Sequence, residues 1–290
     1  MLNNTKYNSI QTNQHPFHIV DPSPWPFLVA FSLFGILFTT VCYLHELSIN
    51  TFTFIGCIII FLFSAVQWFT DITIEGTYQG HHTLAVQQGL RYGMVLFIVS
   101  EIMFFFAFFW AFFYSSMSPS VALGCIWPPL GIEALNPFGL PLLNTIILLS
   151  SGVSVTWAHR AVAYAVDESN LEESSISDSN ATNYRKEAII ALVITIILGA
   201  LFTCLQLFEY QFAQFTLADG IYGSTFYVAT GFHGLHVIIG TIFLAVCLMR
   251  HIFYHFIKEQ HLGLEFAIWY WHFVDVVWLF LFVSIYWWGA

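Results

Sequence analysis

Seven long apolar runs dominate this chain, at about residues 27–45, 52–70, 92–114, 140–163, 187–208, 224–249 and 266–288. Each is close to the roughly twenty residues an α-helix needs to cross a hydrocarbon core about 30 Å thick. The pattern predicts an all-α, polytopic membrane protein with seven transmembrane helices. Residues 1–26 are polar and end in Asp21-Pro22-Ser23-Pro24-Trp25-Pro26, where three prolines forbid a regular helix and Trp25 suits headgroup depth. They predict a surface segment leading into the membrane. Between the fourth and fifth runs, residues 167–183 are acidic and rich in Ser and Asn, which predicts a mobile aqueous loop. Residues 115–139, with Trp127-Pro128-Pro129 and Asn136-Pro137, predict a structured but non-helical crossing. No internal repeat, soluble domain or glycine-rich phosphate loop interrupts the pattern.

Composition strengthens the reading. With 58% hydrophobic and 8% charged residues, and a mean hydropathy of +0.74, most of the chain needs lipid as its solvent. Aromatics at 19% fit dense packing with interfacial anchors. A net charge of −10 with only seven Lys plus Arg cannot supply the basic patches that nucleic acid requires. An odd number of spans puts the termini on opposite sides, and the basic residues test that count. Lys6, Arg91, Arg160, Arg185, Lys186, Arg250 and Lys258 all fall on the N-terminal side, which predicts an N-in, C-out orientation. The five cysteines, an odd number with no C-x-x-C pair, suggest neither a disulfide framework nor a zinc site. The N-terminus does not read as a cleaved targeting address.

Candidate chemistry starts at Glu101, the one carboxyl group within Leu90–Tyr114. Ten helical residues beyond Arg91 put it roughly 15 Å deep, near mid-membrane. An acid there marks a functional position, or else a neutral carboxyl bonded to a neighbouring helix for packing. In WYWHFVDVVW, His272 and Asp275 are three residues apart and share a helix face, which predicts a buried hydrogen-bonded pair. His233 and His236 in GFHGLH, with His272, leave metal or haem ligation as a competing reading, although no Cys or Met set completes it. At the basic aqueous edge, Glu75, His81, His82, Arg91, Arg250, His251, His255, Lys258 and His261 suit lipid phosphate, or simply anchor the protein in bulk lipid. No nucleophile stands with a base, and no carboxylates are set for hydrolysis. A receptor, a proton-coupled carrier using Glu101 and Asp275, and a subunit of a larger membrane complex remain open.

The motifs narrow this choice. DPSPWP at 21–26, GHHT at 80–83, GLRYG at 89–93, WPP at 127–129, PLLNT at 141–145, WAH at 157–159, YGSTF at 222–226, ATGFHGLHVIIG at 229–240 and the run from Trp269 to Gly289 extend through all seven spans. Together they resemble the subunit III family of haem–copper cytochrome c oxidases. The resemblance implies a non-catalytic subunit with no cofactor of its own, haem and copper being held by partner subunits. It implies packing beside catalytic subunit I, with subunit II and further accessory subunits, in the mitochondrial inner membrane. The N-terminus would face the matrix and the C-terminus the intermembrane space, an alphaproteobacterial membrane being the other possible setting.

The implied architecture is a polar segment (1–26), a two-helix bundle (27–70), a connection (71–91) and a five-helix bundle (92–290), with phospholipid in a V-shaped cleft between the bundles. Carried over by position, Glu101 matches the family's carbodiimide-reactive intramembrane acid, a reactivity that requires a protonated carboxyl in an apolar place. Glu75, His82, Arg91, Arg250 and His255 match positions near lipid headgroups. The chain departs from the family in QWFTDITIEG, where Thr70 and Ile74 replace two arginines. Such a complex oxidises cytochrome c, reduces oxygen to water and pumps protons. Subunit III would support the cycle by stabilising the catalytic subunit and its proton-uptake entrance, or by offering a lipid route for oxygen. A quinol-oxidising relative is the alternative, although such subunits commonly lack the first two spans.

Overall fold

The computed structural model describes residues 15–47, 50–121, 124–168, 175–256 and 261–290, without the side chains of 164–168 and 175–182. Seven helices follow one another: α1 (Trp25–Leu44), α2 (Thr51–Thr77), α3 (Leu84–Met117), α4 (Leu140–Glu168), α5 (Ser175–Phe212), α6 (Gly220–Ile252) and α7 (Leu262–Leu281), the last continuing as a π-helix over Phe282–Trp288. Among the described residues there is no strand. All seven helices are long and apolar enough to cross a membrane, as the hydrophobic runs predict. The chain forms two compact units, Met1–Leu90 and Arg91–Ala290, the division falling inside α3.

Within the first unit, α1 starts behind Pro24 with a second proline in its first turn, where a missing N–H costs nothing. Asn50 caps α2 by accepting a bond from the Phe52 amide at 3.0 Å. The two helices are tied at one end by the Trp25 indole, which donates to Asp71 at 2.6 Å. Further along, Gly35 lets α1 approach α2 closely, since a Cβ there would lie 2.7 Å from the Cys57 sulfur. Only 17% of the α1 span and 6% of the α2 span are buried within the protein, so both helices present apolar side chains nearly all round, as a span in lipid does.

The second unit is built on α7, whose span is 56% buried. Trp271 and Trp278 are enclosed, and both indoles find acceptors on α4: Trp271 donates to Ser151 and Trp278 to Thr145, each at 2.9 Å. Small residues make room for the larger ring. A Cβ on Gly199 of α5 would lie 2.6 Å from Trp271, and one on Gly240 of α6 2.9 Å. Close approach over small residues is the usual packing in lipid, where apolar burial alone draws no helices together. At the far end, Tyr286 of the π-helix donates to Glu209 at 2.7 Å, and Gln206 bridges Glu209, Tyr286 and Asn144 across α5, the π-helix and α4.

Helix ends differ from the sequence expectation. The loop expected over 167–183 is a correction: α4 continues to Glu168 and α5 starts at Ser175, leaving only 169–174 between them, outside the described residues. Once an apolar span has formed a helix, adding turns needs no new nucleus, and the modest helix penalties of Ser, Asn and Asp do not stop it. For the same reason α2 continues past residue 70 to Thr77, and α3 begins at Leu84. Lys6 and Lys258 also lie outside the described residues.

Candidate functional site

The midpoint of α3 falls between Ser100 and Glu101, and that of α6 at His236. The two side chains meet there, with His236 Nε2 2.9 Å from Glu101 Oε2. On the opposite edge of the ring, His236 Nδ1 lies 2.6 Å from the Phe232 carbonyl oxygen. A carbonyl only accepts, so Nδ1 carries a hydrogen and donates it. One proton therefore remains to be held between Nε2 and the carboxyl group. Either the acid donates to a bare Nε2, or an imidazolium donates to a carboxylate. Both arrangements sum to zero charge, which lets an acid and an imidazole share mid-membrane depth without an isolated ion. Aromatic rings surround the pair, Phe105 at 5.0 Å and Tyr270 at 6.3 Å from the imidazole centroid.

His236 is a partner that sequence reasoning grouped with His233 and a possible metal. The usable signal is depth, since a mid-span acid needs a polar partner at the same level and His236 stands at mid-helix. The other imidazoles are engaged separately. His233 Nε2 donates to the Val274 carbonyl at 3.2 Å, and His272 Nε2 lies 3.3 Å from the Thr156 hydroxyl. The three histidines of the ligation reading are not brought together on one centre.

His272 and Asp275 do share a face of α7 and stand as a close polar pair without direct hydrogen-bond contact. Their closest approach is 3.8 Å, too long for a hydrogen bond. Asp275 is buried, and its Oδ1 has no hydrogen-bond partner among the described residues. The His272 side chain is 45% exposed. The pair packs against α4, where a Cβ on Gly152 would sit 2.5 Å from Asp275 Oδ2. His272 Nδ1 borders the same position at 3.8 Å, so that glycine makes room for both members of the pair beside α4. Both residues line an open groove of about 590 Å³ between α4 and α7, together with Thr156 and Arg160.

The five headgroup-level candidates divide between the units. In the second unit, Arg91 makes a two-pronged contact with Glu265 in the first turn of α7, at 3.1 and 3.3 Å. Arg250 lies with its guanidinium carbon 4.7 Å from the Phe256 ring centroid. The His255 amide donates to the Arg250 carbonyl at 3.0 Å, across a left-handed Tyr254 that ends α6. Arg185, which sequence reasoning used only for orientation, donates to the carbonyls of His251 and Ile252 at 3.0 and 2.8 Å, satisfying the C-terminus of α6. In the first unit, Glu75 and His82 come together with His18 as a third member.

Comparison with known proteins places this arrangement. The family model for cytochrome c oxidase subunit III matches residues 15–290. The chain belongs to that family. The cytochrome c oxidase subunit 3 of Prototheca wickerhamii is 57% identical over 278 residues, 96% of this chain and 99% of the relative. That of Scyliorhinus canicula is 56% identical over 276 residues, 95% and 98% respectively. The protein of the same name from Chondrus crispus is 51% identical over 289 residues, 97% of each. In this subunit III chain, then, several polar groups pair with one another: acid with imidazole, indole with hydroxyl, guanidinium with helix-end carbonyl. Chemically, the Glu101–His236 pair can store a proton and shift it by one hydrogen bond. The remaining contacts fix helices against each other.

Proposed function

We propose that this chain is the non-catalytic subunit III of a cytochrome c oxidase, held beside catalytic subunit I with subunit II and accessory subunits in the mitochondrial inner membrane. The N-terminus faces the matrix and the C-terminus the intermembrane space. Family membership over nearly the whole chain is the observation that carries the reading. The relatives are named for cytochrome c oxidase, which favours cytochrome c over quinol as the donor to the complex. Haem and copper belong to the partner subunits. In support, the imidazoles of α6 and α7 that could have ligated a metal are hydrogen-bonded to Glu101, Val274 and Thr156.

The role is to keep the catalytic subunit and its proton-uptake entrance stable through turnover. Glu101 contributes a pair of zero net charge with His236 that preserves an apolar environment at mid-depth. Phospholipid is held at the headgroup level by Glu75, His82, Arg91, Arg250 and His255. Replacing Glu101 by Gln in the intact complex should leave single-turnover electron transfer almost unchanged and shorten activity under sustained turnover. Loss of oxygen reduction in the first turnover would defeat the accessory role. Lipid extracted from an Arg250→Gln complex and measured by mass spectrometry should fall below the wild-type amount. An unchanged amount would remove Arg250 from the lipid site.

A further inference from the structure

We propose that His18, Glu75 and His82 form a site for a divalent transition-metal ion of the zinc class, fastening the N-terminal segment to the end of α2. Each residue offers one ligand atom, and these atoms lie within 4.8 Å of one another. Around a tetrahedral zinc ion, with bonds of about 2.0–2.2 Å to nitrogen and oxygen, neighbouring donors stand roughly 3.4 Å apart. The three side chains need to draw in by about 1 Å, which small rotations supply. Two imidazoles and one carboxylate suit zinc better than calcium or magnesium, which prefer all-oxygen shells. A fourth position is left for water.

The local structure aims these donors at one another. Over residues 15–20 the neighbours of His18 are exposed, including Phe17 at 65% and Ile19 at 78%, while His18 alone is turned inward. Its ring stacks on His81 with centroids 4.7 Å apart, and the Thr83 hydroxyl donates to the Pro16 carbonyl, so the segment is held at His18 and two residues before it. Gly76 makes the space for His82, since a Cβ there would lie 2.6 Å from Nδ1 of that ring.

Charge favours a cation at the same place. Glu75 sits in the last turn of α2, the negative end of the helix dipole, and that turn holds no basic residue. Residues 15–90 contain Asp21, Glu46, Asp71 and Glu75 but neither Lys nor Arg. Asp71 already accepts the Trp25 indole. A bound divalent ion supplies the positive charge that this stretch of sequence lacks.

The site shares Glu75 and His82 with the phospholipid reading but not His18, so His18→Ala separates the two. The test uses the purified oxidase complex containing this chain, stripped with a chelator and titrated with Zn²⁺ alone. Three outcomes are expected: a zinc-edge anomalous peak among the three residues, zinc-dependent hydrogen-exchange protection of residues 15–20, and Zn²⁺ binding weakened about tenfold or more by His18→Ala. Phospholipid content should not change in that variant. A peak elsewhere, protection indifferent to zinc, or wild-type Zn²⁺ affinity in His18→Ala would overturn the site. Because His18 lies on a surface segment, its variant still decides the question if Glu75→Gln fails to assemble.

Discussion

One proton held between Glu101 and His236 gives the two residues unequal sensitivities to substitution. Glu101→Gln keeps a donor, because the new amide N–H can bond to the bare Nε2, so its cost should stay below about 1 kcal/mol. His236→Ala removes the only partner shown for the carboxyl group and leaves it unsatisfied in an apolar place, at a cost of about 1–3 kcal/mol. Thermal unfolding of the purified complex should therefore rank His236→Ala as the more damaging change. The reverse order would mean that the proton sits differently from the assignment drawn from the Phe232 contact. Depth made Glu101 legible from sequence alone. Its partner was not, because periodicity tells which face a residue occupies and not which helix stands opposite, 135 positions away. His272 and Asp275 show the same limit: their spacing gave the shared face, while the glycine that makes room for them, Gly152, is on another helix.

Whole helices follow the same division between what a sequence fixes locally and what packing settles. Apolar runs specified where each span lies, since lipid demands an unbroken helix of a set length. They did not specify the ends, which depend on helix propagation and on contacts such as Arg185 with the last carbonyls of α6. Nor did they show α7 as the central element, although its tryptophans were visible, because the glycines that admit Trp271 are on α5 and α6. Those glycines give a prediction at this scale. In Gly199→Ala the new methyl would lie 2.6 Å from Trp271 and 2.8 Å from the Thr241 hydroxyl, and overpacking should cost about 1–3 kcal/mol. Gly56→Ala on α2 is the control, as nothing lies within 4 Å of its Cβ position. It should be neutral or slightly stabilising through helix propensity. Equal unfolding midpoints for the two variants would show that α5 and α7 do not pack through Trp271 as described.

At the scale of the molecule, seven spans and one-sided basic residues lead to a sidedness that two thiols can report. Cys125 is exposed in the connection between α3 and α4. Phe253 is 61% exposed just beyond the end of α6. The spans α4, α5 and α6 lie between these positions, and three crossings put them on opposite faces. Arg250 stands three residues before Phe253, and the orientation proposed above puts that connection on the matrix side. A membrane-impermeant maleimide should therefore label Cys125 from the intermembrane-space side only, and the thiol introduced by Phe253→Cys from the matrix side only. Cys42 and Cys247 are buried, and Cys204, although exposed, sits within the α5 span, where no water is present to form the reactive thiolate. Labelling of both positions from one side would require an even number of crossings between them. The seven-span count would then fail together with the orientation that rests on it, whatever the chain's resemblance to its relatives.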